Sequence, residues 1–453
     1  MEHIIDTPCG RIKGIIDSKE DIISYKGIRY ATSKRFEYPE IVTSWEGTYD
    51  AKEYGHCAYQ ARSFYDESLN PKKAFYFKEF RKGETYTYSE DCLFLNIWTP
   101  NNIKAGDNLP VIIYIHGGSF TGGCGHELHI KNPVWPKKGV IAITINYRLG
   151  PLGFACLKEL KELDGHTGNY GLFDQLTAMK WVKNNIYSFG GDPNNITIMG
   201  QSAGSMSICK HTLSPLTEGL FQKAVMLSGG GVSKLMPDPT DSKQFYFWGK
   251  VMEEAGAKTV EEFKTVPVEK IYDAWFKLRK EIKGGLMACH PVIDGVLLEE
   301  KAAKCVKAKK YKKIPYIMGS TSEDVAAPFA HSMAKDWCKI QECDSYCFMF
   351  NHALPGDDNG AWHSSDIWYW LGTLERCWRP MTEIDYELSD KMTSYLTNFA
   401  KTANPNSTDL AEWHSTTKKT KNILHFGNGN VKEMKVNKKK LWHNLITNKA
   451  VGE

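Results

Sequence analysis

The sequence predicts an α/β fold in which a central, mostly parallel sheet is flanked by helices, with further helices inserted as a cap. Three observations lead there. Short apolar runs recur along the chain, one intervening segment has a clear helical face, and a glycine-bounded serine stands where a strand gives way to a helix.

From the N-terminus, residues 1–16 (MEHIIDTPCGRIKGII) read as a short hairpin. VIIYI (111–115), VIAITI (140–145), ITIM (196–199), AVML (224–227), YIMG (316–319) and YCFMF (346–350) read as short buried strands, the kind a sheet covered on both faces needs. Between the second and third of these, Leu172, Leu176, Met179, Val182 and Ile186 recur at three- and four-residue spacing and make one apolar helical face. Segments 57–90 and 233–290 carry aromatic and charged residues without a strand rhythm, and are expected to supply the loops and helices of the cap. There is no internal repeat, low-complexity stretch or Pro/Ser-rich linker, so residues 1–453 are expected to form one domain.

Composition narrows the function classes. The formal charge is only +4 with the signs well mixed, which argues against a nucleic-acid-binding surface. The lysine-rich stretches YKKIPY and NKKKLW are short and read as solvated faces. No apolar run approaches the eighteen or so residues of a membrane span. No cleavable apolar leader is seen, so a cytoplasmic location is expected. Twelve cysteines are too sparse for a disulfide-built scaffold. Cys338, Cys343 and Cys347 lack the spacing of a zinc knuckle and read as unlinked thiols, so no metal is expected.

The chemistry is carried by Gly200-Gln201-Ser202-Ala203-Gly204. A strand that reverses sharply into a helix crowds the backbone around one residue, and glycines at the flanks relieve that crowding. The turn signal GGDPNN and the apolar Ile196, Ile198 and Met199 precede the motif, and no proline follows Ser202 until Pro215. Ser202 is therefore read as a nucleophile, which needs a base, an acid to orient the base, and donors for an oxyanion. Upstream, the strand Val111 to Ile115 runs into His116-Gly117-Gly118-Ser119-Phe120, where consecutive glycines let the backbone pass close to a ligand.

In these and further segments the chain resembles the type-B carboxylesterase/lipase family of α/β hydrolases, in the branch of bacterial para-nitrobenzyl esterases. EDCLFLNIWTP (90–100), HGGSF, INYRLGPLGF (145–154), residues 168–204, HPVIDG (290–295) and FAKTANPN (399–406) occur in the family's order. The resemblance implies an α/β-hydrolase fold, with Ser202 as nucleophile and Gly118, Ser119 and Ala203 at the oxyanion-hole positions. It places the histidine at His363, in GAWHSSDIWYWLGTL, and the acid in IPYIMGSTSEDVAAPF. Counting from Gly319, the family's glutamate falls on Asp324, with Glu323 in the slot before it. Either carboxylate is able to hold the histidine; register favours Asp324. His363 precedes an aromatic run, Trp368, Tyr369 and Trp370, that is expected to form one wall of a pocket, and His116 is expected to shape the glycine loop.

The resemblance further implies ion pairs between Arg35 and Glu90 and between Arg148 and Asp174, and it places Ser228 beside the triad, a position that equally reads as a strand-end turn. Cys57 and Cys92 match a loop disulfide of secreted members, expected as thiols in a reducing cytosol. It implies hydrolysis of a carboxylic ester through an acyl-enzyme, with no metal or organic cofactor and a small-molecule ester as the partner. Gln201 replaces the glutamate of cholinesterase-like members, which disfavours cationic esters; short-chain or aryl esters are expected, with acylated carbohydrates and plant phenolic esters open. Tyr76 and Trp362 are further candidates for an aromatic pocket. Retention of Ser202, His363, an acid and the HGG loop argues against the binding-only members of the fold; an amidase or thioesterase would use the same groups.

Overall fold

Twelve strands of five or more residues, joined by the short Thr48–Asp50, pair into one mixed sheet. They are β1 (Glu2–Thr7), β2 (Gly10–Asp17), β3 (Ile22–Arg29), β4 (Phe94–Pro100), β5 (Leu109–Ile115), β6 (Ile141–Ile145), β7 (Gly191–Gln201), β8 (Lys223–Leu227), β9 (Tyr316–Thr321), β10 (Ser345–Phe350), β11 (Ile423–Gly427) and β12 (Asn430–Met434). The order across the sheet is β1-β2-β3-β4-β6-β5-β7-β8-β9-β10-β11-β12. From β6 to β11 every neighbour pair is parallel, and the other pairs among these twelve are antiparallel. This computed structural model describes residues 1–131, 133–232 and 238–447, so residues 233–237 of the expected cap lie outside the described residues.

All six apolar runs singled out as strands fall side by side in this sheet. Their alternate residues feed two separate cores. Ile113, Ile143, Ile198 and Met226 pack on one face, and Ile112, Ala142, Met199 and Val225 on the other. The first core takes up the helix Tyr170–Asn185; the second takes up Glu383–Thr402 and Ile367–Leu371. Trp368, Tyr369 and Trp370 belong wholly to that second core, which corrects their expected place in a pocket wall. They come soon after the histidine, but the short helix turns them inward against Phe348, Phe350 and Phe426.

Two further differences have local causes. GGDPNN does not stop before the strand: β7 begins at Gly191 and bulges, so that Leu109 pairs with Gly191 and Val111 with Ile196. The strand β4 hides its character behind Asn96, a buried polar residue whose carbonyl accepts the Gly27 N–H at 2.9 Å and whose amide donates to Thr144 Oγ1 at 3.0 Å. Among the described residues no helix is long and apolar enough to cross a membrane.

Parallel strands deliver their outgoing loops to one edge of the sheet. Gly200 of β7 stands level with Ile115 of β5, Gln201 with Leu227 of β8, and Leu227 with Gly319 of β9. The segments after β5, β7, β8 and β9 thus emerge together at the carboxyl ends of adjacent strands, where open α/β sheets hold their ligands. A buried ion pair braces the region: Arg148 Nη2 meets Asp174 Oδ1 at 2.7 Å and Arg148 Nε meets Oδ2 at 2.9 Å. Either partner alone would be an uncompensated buried charge. Arg35 and Glu90 also pair, Nε to Oε2 at 2.9 Å, but Glu90 remains partly exposed.

Candidate active site

Ser202 occupies the turn between β7 and the helix Ala203–Leu213 with φ +54° and ψ −123°. A non-glycine residue held there costs of order 1–3 kcal/mol. The turn closes only because its neighbours lack side chains. A Cβ on Gly204 would stand 2.0 Å from the Ile115 carbonyl oxygen, and one on Gly200 would stand 2.7 Å from the Gly204 carbonyl carbon. Ser202 N donates to Leu227 O at 2.9 Å, and its carbonyl accepts Met206 N at 2.9 Å, so the turn is tied to both the sheet and the helix.

His363 reaches this serine from a loop 161 residues away. Its Nε2 lies 3.0 Å from Ser202 Oγ, and its Nδ1 lies 2.7 Å from Asp324 Oδ1. The carboxylate on the histidine is therefore Asp324. Burial pushes the Asp324 carboxyl up, but the charge and hydrogen bond of His363, with help from the Ser228 hydroxyl and the Thr321 amide, hold it below its ordinary value. Glu323 points elsewhere: its Oε2 accepts Ala361 N at 3.0 Å and its Oε1 accepts Asn444 Nδ2 at 3.2 Å. Its backbone N–H donates to Ala361 O at 3.1 Å. Glu323 fastens the loop that carries His363, two residues before the imidazole.

The glycine loop after β5 takes three successive positive φ values, +110° at Gly118, +55° at Ser119 and +60° at Phe120. The Gly118 carbonyl accepts Thr121 N and Gly122 N, both at 3.0 Å, which locks the bend. Gly118 and Ser119 line the same cavity as Ser202. Ala203 is buried behind them as the first residue of its helix, where the backbone N–H has no intrahelical partner. His116 supports the loop from beneath: its Nδ1 lies 2.8 Å from Gly117 O and its ring stacks on Tyr147 at 4.5 Å. Burial keeps its pKa below the usual histidine value, so it is a neutral strut.

The carboxylesterase family model matches residues 1–339 and 329–442. The chain belongs to the carboxylesterase family. Among its relatives, the para-nitrobenzyl esterase of Bacillus subtilis (strain 168) is 33% identical over 332 residues, 72% of this chain and 63% of that protein. The bile salt-activated lipase of Mus musculus is 32% identical over 365 residues, 76% of this chain and 56% of that protein. The chain thus spans less than two thirds of either relative. A solved para-nitrobenzyl (PNB) esterase structure superposes with a TM-score of 0.84 at 26% identity, covering 98% of this chain and 99% of that one. The α/β-hydrolase fold of this family is the architecture described above.

Within this family frame, the carboxyl ends of the strands enclose a cavity of about 660 Å³. Tyr76, Phe80, Met206, Val232, Met333 and Ile367 contribute apolar wall. Tyr76 is there as expected from its aromatic character, whereas Trp362 is buried behind it in edge contact at 5.9 Å. Segment 57–90 does cover the cavity, through Gln60, Arg62, Tyr65 and the helix Ala74–Phe80, while Asp238, Met287 and His290 come from 233–290. Ser228, at φ +51° directly after β8, lines the cavity near Asp324.

One contact and one residue near the histidine escaped sequence reasoning. Gln201 Nε2 lies 3.2 Å from His363 Nε2 and donates to the same nitrogen that faces Ser202. Its place before the serine was legible in the sequence, but not this contact. Asp366, three residues after His363, is wholly buried, and burial with the added charge of Asp324 pushes its carboxyl up to about 7. Its folded pKa exceeds its unfolded value. Its protonated form is therefore compatible with the fold at low pH, and the contribution of Asp366 to stability falls as pH rises from about 4 to about 7, by about 4 kcal/mol for a shift of this size. Asp366→Asn cannot ionise. Urea unfolding of wild type and variant at either end of that window should show the gap moving in the variant's favour at higher pH; parallel pH profiles would show that Asp366 does not titrate there.

Cys57 and Cys92 are both buried free thiols. The Cys57 sulfur has other company than Cys92: it lies 3.6 Å from His126 Nε2 and close to Cys124.

Proposed function

We propose that this chain hydrolyses carboxylic esters of small acyl or aryl groups through an acyl-enzyme on Ser202. The observation that carries the reading is the unbroken line of contacts from Ser202 Oγ to His363 to Asp324, opening into an apolar cavity. His363 Nε2 takes the hydroxyl proton as Ser202 Oγ attacks the carbonyl carbon, and Asp324 stabilises the imidazolium that forms. The oxyanion develops between the N–H groups of Gly118, Ser119 and Ala203, the last aided by the positive end of its helix. His363 then protonates the leaving alcohol, and water repeats the sequence on the acyl-enzyme. In this reading residues 1–453 act as one domain, no metal takes part in the step, and a reducing, cytoplasmic compartment keeps the cysteines out of disulfides.

The test is turnover of p-nitrophenyl esters from acetate to laurate by the full chain, with fluorophosphonate labelling in parallel. Turnover that peaks among the shorter acyl chains, with the label on the Ser202 peptide, is the expected outcome. Faster cleavage of matched thioesters or anilides would move the reading to a thioesterase or amidase. No turnover with no label would leave a binding protein.

A further inference from the structure

Outside the ester site, one group of three potential metal ligands gathers among the described residues: Cys57, Cys124 and His126, with ligand atoms all within 4.8 Å of one another and all three residues buried. We propose that Cys57, Cys124 and His126 bind one thiophilic d10 divalent cation, zinc(II), and that this ion anchors the far end of the oxyanion loop.

The donor set suits the ion. Two sulfurs and one imidazole are ligands that zinc takes in tetrahedral sites at about 2.0–2.3 Å, which puts neighbouring donors somewhat under 4 Å apart. Cys57 Sγ and His126 Nε2 already stand 3.6 Å apart. Two thiolates, a neutral imidazole and a divalent ion sum to zero charge, the balance a buried site demands. Binding requires both cysteines as thiolates, and any thiol proton they carry is released to solvent.

The ligands are also held in place beforehand. The Asn146 side chain spans both ligand segments, its amide donating to His56 O at 2.9 Å and its carbonyl accepting Gly125 N at 2.7 Å. Gln60 repeats the brace, accepting Gly123 N at 3.0 Å and donating to Gly123 O at 3.2 Å. The His126 ring is fixed by stacking on Tyr54 at 4.6 Å and 7°. Cys124 and His126 stand two residues apart, but Cys57 lies 69 residues from His126, so the sequence spacing announces only part of the site. The ion's effect on the loop comes from position: Cys124 stands directly after Gly122 and Gly123, and Gly122 N is bonded to the Gly118 carbonyl at 3.0 Å.

The experiment is titration of the chelator-treated, phosphine-reduced full chain with Zn²⁺ against a chromophoric chelator, and with Cd²⁺ for the ultraviolet thiolate charge-transfer band. One equivalent of each is expected. Cys57→Ser and Cys124→Ser should each weaken binding by more than about 100-fold, beyond the roughly 10- to 100-fold that losing a mere outer partner costs. Cys305→Ser, outside the group, should bind as wild type. Near-ultraviolet circular dichroism checks folding, and His126→Gln replaces any cysteine variant that does not fold. Absence of the one-equivalent site, or its persistence in both folded ligand variants, overturns the proposal. Neither readout depends on ester turnover.

Discussion

Ser202→Ala is expected to lower ester turnover roughly 10⁴- to 10⁶-fold while leaving the protein folded. In the proposed reaction the hydroxyl that attacks is the one His363 Nε2 meets at 3.0 Å, and the alanine has none. The cavity and the glycine loop survive the change, so substrate binding and a residue of catalysis by the oxyanion donors remain. The alanine keeps the strained backbone at φ +54°, so unfolding by urea should be nearly unchanged. Ser202→Gly separates strain from chemistry: it is equally inactive, yet more stable, because glycine tolerates that conformation and releases part of the roughly 1–3 kcal/mol stored there. Measured turnover within tenfold of wild type in Ser202→Ala would remove Ser202 from the nucleophile's role.

Gly118→Ala is the second large effect. An alanine Cβ would stand 2.1 Å from the Gly122 carbonyl oxygen, at a φ of +110° that side chains rarely adopt. Both obstacles are backbone, so the loop has to reopen and carry the Gly118 and Ser119 N–H groups away from the serine. A lost oxyanion donor costs roughly 10²–10³ in kcat. The drop should therefore appear mainly in kcat, with KM changing less, because the donors meet the oxyanion and not the resting ester. Gly219→Ala is the control. It has a similar positive φ, +73°, with nothing within 4 Å of the added Cβ. It should lose about 1 kcal/mol of stability and no activity. Equal kcat in Gly118→Ala and Gly219→Ala would detach the loop from the chemistry.

Much of the fold and of the setting of Ser202 was legible in residue order. Short apolar runs separated by helical segments leave a chain few choices besides a parallel sheet covered on both faces, because each run must bury both of its sides. The turn that carries Ser202 was legible for the same kind of reason. Gly200 and Gly204 stand within van der Waals distance of backbone in the folded turn, and that demand is written as residue type. The consecutive glycines after Ile115 carry the same message.

What tertiary structure alone decided was direction. Glu323 and Asp324 are adjacent carboxylates in one loop, and sequence register can rank them but cannot aim them; the turn after β9 sends Asp324 to His363 and Glu323 back to Ala361 and Asn444. The aromatic run after His363 was expected on the cavity wall, but a single helical turn places Trp368, Tyr369 and Trp370 in the core and leaves Ile367 at the cavity. Gln201, Asp366 and the Cys57, Cys124 and His126 cluster were hidden for a related reason. Gln201 meets His363 162 residues away, Cys57 meets His126 69 residues away, and Asp366 feels the charge of Asp324 from a different loop, so only the folded chain brings them together. Spacing along a sequence encodes the periodicity of one element. It does not encode which way a loop side chain turns, since that depends on backbone angles set by the packing of everything around it.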